Sequence, residues 1–186
     1  MPDPRQKFLE LVSSLKPALV LEIGTLQSVP GRSTHVMSWF PHVKKPQYTM
    51  VDIAAGADVD VVANIHALPK EWTSYFDAVV ASAVFEHLQR PWIAAQEIER
   101  ILSPGGICYI STHQTFPIHG YPQDYFRFTK EALTSIFSDA GLEVIDAAYE
   151  YPCKIIPPAE VIEIGWDETA ASFLNVHLVA RNGVTA

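Results

Sequence analysis

Few residues in this chain have both the type and the spacing for chemistry, and they gather at the ends of apolar runs. Leu21-Glu22-Ile23-Gly24 closes one such run, and Tyr48-Thr49-Met50-Val51-Asp52 closes the next. A carboxylate at the tip of a second strand, roughly 20 to 30 residues beyond a strand-one glycine, is placed to bond a ribose diol, because both tips open into one crevice. A carboxylate that ends a buried strand also needs a partner to offset its desolvation, which singles out Asp52. Gly24 and Gly31 suit either close backbone approach to a ligand or plain turns. Glu22 suits cofactor-related work or bracing of the following loop through buried hydrogen bonds. His113, His119 and His87 each follow a strand, where an imidazole can take a proton from a hydroxyl or amine near neutral pH. The competing reading is a histidine satisfied locally, His87 by Glu86 or by backbone. Tyr121, Asp124 and Arg127 either cover a substrate at the carboxyl edge of the sheet or pair locally, Arg127 with Asp124 or Glu86. No cysteine pair or histidine spacing builds a zinc site, so no metal is expected.

The elements that must position these residues are legible from periodicity. Residues 5–15 carry Phe8, Leu9, Val12 and Leu15 at helical spacing, and Lys16-Pro17 stops the pattern. Residues 18–23 form a nearly continuous apolar run ended by Gly24, as a strand buried on both faces does. After the turn formers Ser28, Pro30 and Gly31, residues 33–40 are a short helix candidate with a hydroxyl cap and Pro41 as terminator. Further strands are expected over 48–53, 59–62, 76–80, 107–111, 142–149 and 173–180. Residues 91–102 read as a helix with proline in its first turn, and Ser103-Pro104-Gly105-Gly106 as its stop. Thr129 is placed as the N-cap of a helix that buries Leu133, Ile136, Phe137 and Ala140, and Gly141 supplies its left-handed end.

Strands alternating with helices predict a doubly wound, mostly parallel α/β sheet whose ligand lies beyond the carboxyl ends of the strands. Residues 54–58 are too few for a crossover helix, so the third strand either returns through a bare loop or is not a strand. The last two strands, with no long helix between them, predict an antiparallel edge. One domain is expected over 1–186, with a leading helix in 1–17 and an insertion at 151–172 between the last two strands. That insertion is Pro-rich and aromatic, and its Trp166 and Ile162 to Ile164 suit a homodimer surface as well as a lid.

Composition narrows the class. The chain has 186 residues, 48% hydrophobic and 18% charged, and its formal charge of -8 offers no footprint for a phosphate backbone or an anionic membrane surface. Neither nucleic acid nor membrane is expected as a partner. Two cysteines are too few for a disulfide framework, the amino terminus opens polar, and no apolar run approaches the roughly 18 residues of a spanning helix. A reduced, cytoplasmic protein is the expectation.

From about Leu19 to Val144 the chain resembles the class I S-adenosylmethionine-dependent methyltransferases in their small methyltransferase-domain form. The segments that carry the likeness are Val51-Asp52-Ile53, residues 60–69, residues 76–82, Glu86-His87-Leu88, residues 97–106 and residues 124–129, in that order and spacing. The resemblance implies a seven-stranded Rossmann-like methyltransferase fold and S-adenosyl-L-methionine as cofactor. It implies that Gly24, with Thr25 and Gly31 in its loop, meets the methionine part, that Glu22 orders that loop, and that Asp52 and Ile53 meet the ribose. It assigns Asn64, Ile65 and His66 to the adenine ring and Ala81 and Ser82 to the floor beneath the sulfonium. Two departures stand out: residues 25–31 lack the usual second and third glycines, and Asn64 stands where an acid usually contacts the adenine amino group. The position where some members place a metal-binding acid is Ser82 or Ala83.

The expectation is methyl transfer to an oxygen or nitrogen of a small acceptor, with relatives of this pattern pointing to a sugar or natural product. Because transfer needs only in-line placement of a nucleophile, proximity does most of the work and a base need not be essential. A non-catalytic relative whose rewritten loop has closed the pocket is the alternative. A nicotinamide-dependent dehydrogenase would share the ribose-binding acid but needs a tight glycine fingerprint that Gly24-Thr25-Leu26-Gln27-Ser28 lacks.

Overall fold

Strand β1, Val20–Ile23, is buried on both faces, as its unbroken apolar run requires at the centre of a parallel sheet. The computed structural model describes residues 5–120, 123–156, 158, 160 and 171–183. Around β1 it arranges β2 (Tyr48–Asp52), β3 (Val61–Val62), β4 (Phe76–Ser82), β5 (Leu102–His113), β6 (Leu142–Cys153) and β7 (Ser172–Asn182). The sheet order is β3-β2-β1-β4-β5-β7-β6. Pairing is parallel from β3 to β5, and β7 runs antiparallel to both β5 and β6. The expected antiparallel pairing is therefore present, with β7 one place in from the edge and β6 outside it.

The two-residue period of a strand sends Leu21 and Ile23 to one face and Val20 to the other. On the first face lie α2 (Pro91–Ile101), through Ala94, Ala95, Ile98 and Ile101, and α3 (Lys130–Asp139), through Leu133 and Phe137. On the second lies α1 (Gln6–Leu15), whose Phe8 and Val12 pack with Phe40, Tyr48 and Tyr109. The helix ends follow local chemistry: Lys16 turns left-handed at φ 51° before Pro17. The Thr129 hydroxyl accepts from Ala132 N at 3.1 Å, as an N-cap should.

Three expectations are corrected. Residues 33–40 do not form a capped helix; only Met37–Trp39 makes a turn of 3-10 helix, with no side-chain cap. The reason is tertiary: the Val36 amide is drawn to the Glu22 carboxylate on β1, which holds the chain off a helical path. The strand expected over 59–62 is only two residues long, and it does return through a bare loop, with Asp58 left-handed at φ 64°. Ser103 to Gly106 is not a separate stop but a bulge inside β5, because Leu102 pairs with Phe76 and Ile107 with Ala78. Strands β5, β6 and β7 also extend beyond the expected limits, and β5 ends on His113 opposite Asn175. Trp166 and Ile162 to Ile164 lie outside the described residues. No helix among the described residues is long and apolar enough to cross a membrane.

Candidate active site

The tips of β1 and β2 stand side by side. Gly24 turns at φ 83° and donates its amide to Val51 O at 2.8 Å. A side chain on Gly24 would run into Val84, so its bare Cα lets the loop after β4 close against the tip of β1. Asp52 accepts Leu26 N at 3.0 Å on one oxygen and Ala54 N at 3.3 Å on the other. One lone pair on each oxygen remains. Ile53, next in the chain, is 55% exposed.

Glu22 is buried and braces the loop after β1. Its two oxygens accept Val36 N at 3.1 and 3.0 Å, and Tyr48 donates its hydroxyl to the same carboxylate. Burial pushes the Glu22 carboxyl above its ordinary range, against the lowering effect of these donors. Thr25 is also buried, and its hydroxyl donates to Asp58 O at 2.6 Å. Gln27 spans the same gap to Asp58 Oδ2 at 2.8 Å and accepts Gly31 N at 2.8 Å. The glycine-poor loop is thus held by side chains to the β2–β3 connection, with Thr25 committed there and Gly31 exposed.

In the segment expected at an adenine ring, Ile65 is core and Asn64 is committed. Asn64 Oδ1 accepts His66 N at 2.9 Å and lies 2.8 Å from His66 Nδ1. With Nδ1 turned to that oxygen, His66 Nε2 is left as a buried acceptor with no hydrogen-bond partner among the described residues. Asn64 Oδ1 is thus taken up by His66, and the free acceptor of this segment is His66 Nε2. Ala81 is fully buried at the end of β4, and Ser82 is half-buried beside it.

Across the carboxyl edge of the sheet, residues far apart in sequence meet. Glu86 sits with no exposure in a 3-10 turn, Phe85–His87, directly after β4. Its Oε2 accepts the Thr112 hydroxyl at 2.6 Å. Its Oε1 lies 3.1 Å from His113 Nε2 and 3.8 Å from His87 Nε2, yet has no aligned hydrogen bond. The His119 ring stands edge-on to both His113 and His87, with centroids 5.2 and 4.9 Å apart. Each imidazole presents Nδ1 to an oxygen: His87 to Gln123 O at 2.6 Å, His113 to Asn175 Oδ1 at 2.9 Å, and His119 to Pro117 O at 3.1 Å. That pattern keeps hydrogen on Nδ1 and a lone pair on Nε2. The three histidines named from sequence are brought together, but the buried carboxylate at their centre and Asn175 on β7 were not anticipated as site residues. The adjacency of Glu86 to His87 just past a buried strand was the available signal; nothing marked Asn175.

The loop that carries His119 is fixed from below. Arg127 binds Asp124 through two contacts of 2.5 and 2.7 Å and donates to Phe116 O and Pro117 O at 3.2 and 3.1 Å. Of the two partners open to Arg127, Asp124 is the one it takes. Asp124 also accepts His119 N at 2.9 Å, and the guanidinium holds its carboxyl well below the usual range. Phe116 stacks on His113 at a centroid distance of 4.0 Å. Tyr121 lies outside the described residues.

Comparisons agree with this architecture. Residues 34–110 match the methyltransferase domain family, a span that begins past the glycine loop and reaches into β5. No curated protein matches the chain. Among solved structures, a methyltransferase from Bacillus halodurans is 15% identical over 98% of this chain and 100% of its own, with a TM-score of 0.65. A chain from a Haloferax volcanii complex of a methyltransferase activator and a methyltransferase is 17% identical over 97% and 96%, with a TM-score of 0.62. The 1,6-didemethyltoxoflavin-N1-methyltransferase of Burkholderia thailandensis, solved with its acceptor and S-adenosylhomocysteine, is 16% identical over 96% of this chain and 77% of its own, with a TM-score of 0.60. At these identities the likeness is one of fold.

Proposed function

We propose that the chain is a class I S-adenosylmethionine-dependent methyltransferase, as the domain match over residues 34–110 supports, and that it methylates an oxygen or nitrogen of a small acceptor held against the Glu86–histidine cluster. The observation that carries this reading is the convergence of His87 and His113 Nε2, with the His119 ring beside them, on one buried carboxylate beyond the strand ends. Ligands of doubly wound sheets lie at that edge. The cofactor, when bound, supplies an electrophilic methyl group on a sulfonium. This chain's residues must hold it, align the acceptor, and receive the acceptor's proton.

The strand-tip residues fit the cofactor. Asp52 keeps lone pairs for a ribose diol, and the orphaned His66 Nε2 is an acceptor of the kind an adenine amino group would satisfy. Ala81 and Ser82 floor the space between the two halves of the site. At the acceptor end, His113 Nε2 offers a lone pair to a departing proton, and Glu86 beside it stabilises the imidazolium. Asp124 and Arg127 act as positioning residues by fixing the loop of His119. A nitrogen acceptor draws support from the N1-methylating Burkholderia enzyme, and a sugar or natural product from the segment pattern of residues 117–129.

The test is a screen of hydroxylated and amine-bearing small molecules, followed by His113→Ala on the best acceptor. Turnover falls by about 10²- to 10⁴-fold if the imidazole is the base, while S-adenosylhomocysteine binding by the folded variant stays near wild type. Unchanged turnover in that variant contradicts the assignment of the base.

A further inference from the structure

The donor set around Glu86 is unusual for groups that only exchange protons. Glu86 Oε1 is fully buried and lacks an aligned donor, while its sister oxygen is satisfied by Thr112. The Nε2 atoms of His113 and His87 face it with lone pairs, because each Nδ1 already points at a carbonyl oxygen. Lone pairs converging on a carboxylate repel one another unless a cation stands between them. One ligand atom from each of Glu86, His113 and His119 lies within 4.8 Å of the other two. Donors around a tetrahedral ion are about 3.4 Å apart, so a modest approach of His119 closes the set. The outer contacts are those of metal-bound histidine: a ring nitrogen given to a carbonyl, which fixes tautomer and orientation.

We propose that Glu86, His113 and His119 form a binding site for a divalent transition-metal ion of the zinc type. Two imidazoles and one carboxylate with an open fourth position are the donors of a catalytic rather than a structural zinc site. Nitrogen ligands also select against magnesium and calcium. The spacing of these residues along the chain hid the site, since the fold and not a local motif assembles it. The open position is left for an acceptor oxygen. That use rests on the methyl-transfer reading, whereas the ion's affinity does not. With the ion bound, His113 Nε2 is engaged as a ligand, so its role as base applies to the metal-free protein.

The experiment titrates the whole protein, stripped with chelator and dialysed, with Zn2+ by calorimetry and with Co2+ by visible absorption. Wild type is expected to bind one ion of each, with affinity falling as pH drops because protons compete for the same lone pairs. His119→Ala, in a half-exposed loop residue, should weaken binding at least tenfold by loss of a ligand, on the scale of about 10- to 100-fold seen for lesser changes around metal ligands. His113→Ala should weaken it likewise, and His42→Ala, which removes a surface imidazole bonded to Pro17 O, should leave it unchanged. A wild-type protein that binds neither ion overturns the proposal, as does binding that both cluster variants leave intact. Titration of the stripped protein with S-adenosylhomocysteine in the same series tests the methyl-transfer reading separately.

Discussion

A carboxylate removed from solvent must find donors or a cation, and Glu86 finds one firm donor in Thr112. Thr112→Val therefore strands an acceptor and should lower stability by about 1–3 kcal/mol in urea denaturation; a variant as stable as wild type would show that Glu86 is held otherwise. At the other half of the site, Asp52→Ala should abolish the thermal stabilisation that S-adenosylhomocysteine gives, because both ribose hydroxyls lose their acceptor. An unaltered shift in melting temperature would remove Asp52 from the site. The placement of Asp52 and the three histidines was legible in the sequence, since each ends or follows a strand. Glu86 and Asn175 were not, because their roles depend on which strands become neighbours, and β7 reaches His113 only through antiparallel pairing.

The loop after β1 shows what elements do to the site. A glycine-poor stretch between Pro30 and Pro41 cannot wind a helix while Glu22 takes the Val36 amide. Glu22 binds that amide and the Tyr48 hydroxyl where regular secondary structure would otherwise order the chain. Glu22→Ala should cost about 2–4 kcal/mol, measured by urea denaturation, since two buried donors lose their acceptor; a loss below the error of the measurement would contradict the bracing role. The far edge of the sheet carries a second buried pair, His177 Nδ1 2.7 Å from Glu150 Oε1, with Asp146 at 3.3 Å from Nε2. Burial opposes the imidazolium, but the two carboxylates outweigh it and raise the His177 pKa above 6.5. A raised folded pKa means that this contribution is complete below the unfolded value and fades as pH climbs through the folded one. The urea midpoint should therefore decline on the alkaline side of pH 6.5, and Glu150→Gln should flatten that decline. The helix expected over 33–40 failed for a related reason: periodicity and a hydroxyl cap are local signals, and a distant buried carboxylate overrode them.

At the scale of the molecule, the sheet is what the alternation of apolar runs and helical patterns implied, down to the antiparallel pairing of β6 with β7. The runs were readable because strands buried on both faces admit almost no polar residue. What periodicity could not state was order: β7 lies between β5 and β6, and that single insertion brings Asn175 to His113 beside the histidine cluster. The tips of β1 and β2, where Gly24 and Asp52 stand, follow from two apolar runs and needed no knowledge of strand order. A chain with a net charge of -8 has little long-range attraction for an anionic acceptor, so recognition falls to the residues in the crevice. The most direct test of this account is calorimetric titration of the purified protein with S-adenosylmethionine and S-adenosylhomocysteine, with NAD as the competing ligand and Asp52→Ala as the matched variant. The account predicts one site for each of the first two ligands, none for NAD, and loss of both in the variant. Failure of wild type to bind either, or equal binding by Asp52→Ala, would contradict it.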